Sequence, residues 1–397
     1  MTSALTSIPL TQDVVCGAAE LEPTGRGVRI HRLPAWARAQ CADPQLAMVE
    51  AQASGVRIAV RTAATVVELD LMRTRTVYAG LPGRPDGVVE LAVDGEVVAQ
   101  ATTSGGTTVT VDMTTGTPSV DDGPAFTARF DGLPSTAKDV ELWLPHSETL
   151  ELLDLRADAP VEPTPTERPV WVHHGSSISH GSNATHPTGI WPVVAARRAG
   201  VDLVNLGFGG SALLDPFVAR TVRDTPADLI SLKLGINLVN SDLMRRRAYG
   251  PAVHGYLDTI RDGHPTTPLL VISPIYCAIH ETTPGPGAFD VAALAEGRMA
   301  FAATGDPAEA TEAPTGRLTL SVIRDELARI VHERQAHDPN LHYLDGRELY
   351  SEADAVEHPL PDNLHPDAAT HQTMGERFVE SGLRLSLRRA APGSCST

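Results

Sequence analysis

The chain has 397 residues, 42% of them hydrophobic and 20% charged, with a formal net charge of −17. A chain of this length and composition forms a sizeable core and most commonly divides into two domains. Its acidity, with only 4% aromatic residues, argues against nucleic-acid and anionic-membrane partners, which need clustered Lys and Arg or stacking rings.

The basic residues are almost all arginine; the only lysines are Lys138 and Lys233. No Gly-Lys-Ser/Thr phosphate loop is present, and Schiff-base chemistry has just two candidates. The cysteines, Cys16, Cys41, Cys277 and Cys395, are scattered without a C-x-x-C pair, a pattern that reads as unpaired thiols and gives no zinc site. The first residues lack a basic stretch followed by a long apolar run, and no 18-residue apolar run occurs. The expectation is a soluble, cytoplasmic protein without cofactor or metal.

Residues 12–155 read as a β-rich domain. Short alternating segments recur at 28–30, 56–60, 66–71, 88–93, 107–111, 126–130 and 140–144, separated by turn clusters at 82–87, 94–95 and 104–106. Many short strands at regular spacing predict an antiparallel sandwich, jelly-roll-like. Residues 156–169 (RADAPVEPTPTERP) hold four prolines and no apolar periodicity, as a linker would.

From 170 to about 390 the pattern changes. Strands are expected at 170–174, 201–206, 229–234, 269–273 and 342–344. Helices are expected at 189–199, 213–223, 242–261 and 318–334, with a last one running from 366 to about 388 and Pro366 in its first turn. Strands alternating with helices predict an α/β fold with a doubly wound parallel sheet of the flavodoxin-like, three-layer kind, whose ligand site lies beyond the C-terminal strand ends. Residues 276–317, rich in Gly, Pro, Ala and Thr, interrupt the alternation and fit either a disordered loop or a lid over a site. The tail 390–397 is expected to be disordered.

Four motifs fall just beyond predicted strands. The first is Gly175-Ser176-Ser177-Ile178-Ser179-His180-Gly181. A tight turn lifts the Ser177 hydroxyl above the sheet, and Gly175 would let the backbone turn and leave room for substrate; the G-x-S-x-G elbow is not matched. The second is Asn205-Leu206-Gly207-Phe208-Gly209-Gly210-Ser211, whose backbone N–H groups could face an oxyanion and which does not meet G-x-G-x-x-G. The third is Gly235-Ile236-Asn237, where an Asn side chain at a strand end can donate to an oxyanion. The fourth is Asp362-Asn363-Leu364-His365-Pro366, in which a carboxylate three residues before an imidazole can hold its tautomer. Taken singly, each also reads as a loop, a tight turn, an Asx-turn or a helix cap.

In this order the motifs resemble the SGNH (GDSL-like) hydrolase superfamily, over residues 169–390. The resemblance implies a Ser-His-Asp triad of Ser177, His365 and Asp362. It implies an oxyanion hole from the Ser177 N–H, the Gly210 N–H (with Asn205 leading that block and Gly209 as the fallback) and the Asn237 side chain. Ser176 replaces the family's frequent Asp before the nucleophile, and Leu238 the Asp often found after the oxyanion Asn. A β-sandwich ahead of the hydrolase domain resembles the arrangement in some carbohydrate deacetylases.

The activity expected is hydrolysis of a carboxylic ester through an acyl-enzyme. The scarcity of aromatics and of apolar stripes near the motifs points to a short acyl group on a sugar or small metabolite. Acyl transfer with the same triad and a non-catalytic glycan- or partner-binding protein are the alternatives. His180 and His280 are candidate substrate contacts, as is His186, and His280-Glu281 opens the insertion. His173 and His174 are expected to be one packed and one exposed, and Lys233 is given no chemical role.

Overall fold

The computed structural model describes residues 4–81, 83–112, 115–164 and 167–383. The expected end of the last helix at 384–388, the tail 390–397 and Cys395 lie outside them. The chain divides into two compact units: residues 1–168 with 184–189 and 204–206, and residues 169–183, 190–203 and 207–397.

The first unit is built from two sheets. An eight-stranded sheet has the order Pro118–Asp122, Thr107–Val111, Val67–Tyr78, Thr149–Ala157, Val28–His31, Glu20–Pro23, with Thr6–Ile8 and Phe126–Phe130 paired off that path. A six-stranded sheet has the order Val161–Pro163, Arg57–Thr62, Lys138–Trp143, Val88–Val93, Glu96–Thr102, with Val15–Cys16 beside Arg57–Thr62. Alternation decides which side chains go inward. Val67, Leu69 and Leu71 enter a core shared with Ile58, Val60, Leu91, Val140 and Leu142. Between them Glu68 and Asp70 point away and pair with Arg156 at 2.9 and 2.6 Å. The Asp94-Gly95 turn has positive φ at both residues, 50° and 86°, as a two-residue hairpin requires.

Three features depart from the expected sandwich. Val67–Tyr78 pairs in parallel with Thr107–Val111, so the sheet is not purely antiparallel. Two helices, Ala35–Arg38 and Pro44–Glu50, appear; the second starts on an Asp43 cap with Pro44 in its first turn. Part of 156–169 is strand: Thr149–Ala157 ends inside it, and Val161–Pro163 pairs with Arg57–Thr62. Proline is tolerated there because an edge strand needs donors on one side only.

The second unit is a five-stranded sheet in the order Asp202–Gly207, Val170–Gly175, Leu229–Lys233, Leu269–Ile272, Leu341–Leu344. The last four are paired in parallel. In chain order this is 2-1-3-4-5, the doubly wound arrangement whose switch point lies between the first and third strands. Helices cover both faces. Trp171 stacks on Phe378 and meets Trp191 on one side, while His174 stacks on Tyr256 on the other. Burial on both faces explains the unbroken apolar run 269–272 and the nearly apolar 229–232, interrupted only by Ser231.

Helix ends shift from expectation where a cap was hidden. The second helix starts at Pro216 rather than 213, locked by proline at its first position. The last helix starts at Ala368, capped by Asp367, whose carboxylate accepts the Thr370 N–H at 2.8 Å, and is α-helical to Phe378 and π-helical over Val379–Leu383; Pro366 stands before it. The insertion 276–317 contains a short hairpin, Gly287–Phe289 with Phe301–Ala303, and a helix, Val291–Ala295. Arg317 ties it down, pairing with Asp242 and Glu309 and donating to Gly285 O. Among the described residues no helix is long and apolar enough to cross a membrane, and Cys16, Cys41 and Cys277 form no disulfide.

Candidate active site

The first strand, Val170–Gly175, ends at the switch point and passes into a one-turn helix, Ser177–His180. Ser176 caps that turn, its hydroxyl accepting the Ile178 N–H at 3.4 Å. Ser177 is the first helical residue, so its own N–H has no partner within the turn. A Cβ on Gly175 would sit 2.4 Å from Ser179 Oγ and 3.3 Å from Lys233 Cβ. The missing side chain therefore makes room for Ser179, which corrects the reading that it leaves space for substrate.

Ser177 Oγ lies 2.9 Å from His365 Nε2, across 188 positions of sequence. His365 Nδ1 lies 2.8 Å from Asp362 Oδ2. The other carboxylate oxygen, Oδ1, accepts the backbone N–H groups of Leu364 at 3.0 Å and His365 at 2.7 Å. The carboxylate thus caps its own turn and grips the ring it presents. Asn183 donates from Nδ2 to Asp362 Oδ2 at 3.2 Å. With Nδ1 donating to a carboxylate, Nε2 is left as the acceptor for the Ser177 hydroxyl. Burial alone would push the Asp362 carboxyl up; the bonds from the His365 ring, its charge and the two backbone N–H groups outweigh it and hold the group at about 2.

Asn237 and the 207–212 loop meet beside this turn. Phe208 N–H donates to Gly175 O at 2.8 Å. Gly207 lets the Ser177 turn approach, since a Cβ there would be 2.6 Å from His180 N. Ala212 N–H donates to Asn237 Oδ1 at 3.0 Å, which leaves the Asn237 Nδ2 as the free donor of a side chain only 2% exposed. Gly210 is exposed at the loop's tip with φ +75°. Asn205 is wholly buried; its amide donates to Ser54 Oγ at 2.9 Å and its carbonyl accepts Arg32 at 2.8 Å.

The remaining histidines are placed differently from expectation. His173 and His174 are both buried, because strand burial is two-sided. His173 Nδ1 meets Ser231 Oγ at 2.7 Å and Nε2 meets Ser179 Oγ at 2.8 Å. Burial, then the charges of His174 and Lys233, keeps its pKa well below the ordinary imidazole value. His180 is buried. His280 is also fully buried, with Nδ1 at 3.2 Å from Thr283 O inside the insertion. His186 pairs with Glu90 at 3.1 Å, and Glu281 pairs with Arg324. Lys233 is buried at the end of the third strand, and burial lowers its ammonium to about 8. Among the described residues no group of three or more His, Cys, Asp or Glu is placed to hold a metal ion.

Three contributors were not legible in the sequence. Asn183 carries no motif, and its positive φ of 67° is visible only in three dimensions. Cys277 donates from Sγ to Asn363 O at 3.3 Å; burial pushes its thiol to about 12, so it is a proton donor and not a nucleophile. Phe301 meets the His365 ring with centroids 5.5 Å apart at 78°.

Known proteins resemble this chain in part of its sequence and in its fold. Residues 167–282 match the GDSL-like lipase/acylhydrolase family. Among solved structures, the salicylyl-acyltransferase SsfX3 from a tetracycline biosynthetic pathway is 26% identical, with a TM-score of 0.78 over 98% of this chain and 99% of that one. A GDSL-like lipase structure from Bacteroides ovatus shares the fold at 19% identity and a TM-score of 0.67, covering 97% of this chain and 98% of its own. The acetyl xylan esterase Est2A from Butyrivibrio proteoclasticus shares it at 12% identity and a TM-score of 0.52, covering 97% and 98%. A search of the curated proteins gives no match. The fold is that of an SGNH hydrolase domain preceded by a β-rich unit.

Proposed function

We propose that this chain, which carries a GDSL-like hydrolase domain of the serine-esterase class, cleaves carboxylic esters by way of an acyl-enzyme on Ser177. The observation that carries the reading is the unbroken hydrogen-bonded line from Ser177 Oγ through the His365 ring to Asp362. His365 Nε2 takes the hydroxyl proton as Ser177 attacks the acyl carbon, and the resulting imidazolium is stabilised by the ionised Asp362. The Ser177 N–H, the Asn237 Nδ2 and the Gly210 N–H are the proposed oxyanion donors. His365 then returns its proton to the leaving alcohol, and water repeats the cycle on the acyl-enzyme. The proposed substrate is a short acyl ester of a sugar or small metabolite.

A second reading is acyl transfer, with an alcohol or amine in place of water at the second step. The 26% identity to a salicylyl-acyltransferase over nearly the whole of both chains favours it. Hydrolysis and transfer call on the same residues in the same roles up to the acyl-enzyme.

Turnover of nitrophenyl acetate, butyrate and decanoate by the wild type and by Ser177→Ala tests the proposal. Wild-type turnover with acetate preferred, and loss of at least about a thousandfold in the variant, supports it; unchanged turnover by Ser177→Ala overturns it. Product analysis with competing alcohols and amines separates hydrolysis from transfer.

A further inference from the structure

The turn that carries Asp362 and His365 is held from the insertion at four points. Phe301 N–H donates to Asp362 O at 2.9 Å, and Asn363 Nδ2 donates back to Phe301 O at 3.2 Å. The Cys277 thiol donates to Asn363 O at 3.3 Å. The Phe301 ring stands against the His365 ring and stacks on Phe289, its cross-strand partner, with centroids 5.1 Å apart. Asn363 itself has φ +66°, a region that non-glycine residues occupy only when surroundings hold them there.

We propose that Phe301 is a positioning residue for His365, and that the 287–303 hairpin serves as its brace. The inference rests on the triad reading. Asp362 Oδ2 anchors Nδ1, whereas the bond between Nε2 and the Ser177 hydroxyl is the one that breaks and re-forms in the reaction and cannot itself fix the ring. An aromatic ring set nearly perpendicular to the imidazole restrains it without competing for either nitrogen. It fixes where Nε2 lies relative to Ser177 Oγ, and a misplacement of about 1 Å at a proton-transfer centre costs on the order of a hundredfold in rate. Phe289 supports the Phe301 ring through the stack, an arrangement that aromatic pairs favour.

The backbone contacts of Phe301 survive side-chain substitution, so the ring's part can be isolated. Phe301→Ala is expected to lower kcat on nitrophenyl acetate by roughly 10- to 100-fold with KM changed less than about threefold. Phe301→Leu, which restores apolar bulk, is expected to recover part of the loss, and Phe289→Ala to lose less in the same direction. Labelling of Ser177 by a fluorophosphonate should slow in Phe301→Ala by a factor close to the kcat loss, because that reaction needs the imidazole but no substrate pocket. A raised KM at unchanged kcat, or labelling of Phe301→Ala at the wild-type rate, overturns the inference. Where Phe301→Ala fails to fold, Phe301→Leu and Phe289→Ala give the same readings. Failure of the wild type itself to label at Ser177 would instead overturn the triad reading, so the two are distinguishable.

Discussion

Asp362 holds His365 twice: Oδ1 accepts its backbone N–H at 2.7 Å, and Oδ2 meets its ring Nδ1 at 2.8 Å. The cap that shapes the turn and the group that orients the imidazole are one carboxylate. Substitutions can separate the two jobs. Asp362→Asn keeps an acceptor for the backbone but cannot act as an anion for the ring. It is expected to lower kcat on the order of 10⁴-fold with little change in melting temperature. Asp362→Ala should lose a similar amount of activity and also about 1 kcal/mol of stability from the missing cap. Kinetics and thermal unfolding of the pair check this, and equal stability losses would refute the division.

Asn237 offers a parallel separation. Its Oδ1 is engaged by Ala212 N–H, leaving Nδ2 for the oxyanion. Asn237→Asp keeps the acceptor and loses the donor, so kcat should fall about 10²- to 10³-fold or more while the fold is retained. Asn237→Ala also leaves the Ala212 N–H unsatisfied, at about 1–3 kcal/mol. Near-wild-type kcat for Asn237→Asp would remove Asn237 from the oxyanion hole.

Acid sensitivity should come from the buried histidines His173, His280 and His371, all held below the ordinary imidazole value by burial, and not from Asp362. His371 is buried, accepts the Trp191 N–H at Nδ1 (3.3 Å) and donates from Nε2 to Ser182 O at 2.9 Å. Burial lowers its pKa from 6.5 to about 4. The unfolded chain therefore binds the proton first. The stability that this group contributes is full above pH 6.5 and is lost as pH drops toward 4, about 3 kcal/mol from His371 alone. Protonation also sets a donor at Nδ1 against the Trp191 donor, loosening the Ser182 segment that follows the nucleophile. Denaturant unfolding at several pH values should show this slope, and His371→Gln, which can still accept and donate, should make it shallower between pH 4 and 6.5, leaving the part owed to His173 and His280. An unchanged slope would exclude His371. Asp362, held at about 2, stays ionised throughout that window, so rate losses above pH 4 belong to other groups.

Gly175 is a packing requirement. A methyl group there would lie 2.4 Å from Ser179 Oγ, whose hydroxyl is bonded to His173. Gly175→Ala is expected to cost about 1–3 kcal/mol and to slow turnover by tilting the Ser177 turn. An unchanged melting temperature would show that Ser179 yields freely.

The sequence by itself determined the layers and the order of the site. Period-two alternation at 67–71, turn residues at Asp94-Gly95, and the apolar run at 269–272 are local signals, and local backbone physics obeys them. Ser177 and Asn237 stood out because each follows a strand, and Asp362 and His365 because they lie three apart just before a helix. Tertiary structure decided what local signals do not encode. It decided that Val161–Pro163 pairs as an edge strand, that Gly175 yields space to Ser179, and that both His173 and His174 are buried. It brought Asn183, Cys277 and Phe301 to the Asp362–His365 turn from three separate segments. These depend on which surfaces meet once the sheet is formed. A side chain's neighbours across more than a hundred residues are set by packing and by the need to satisfy buried polar groups, and no spacing of letters records them.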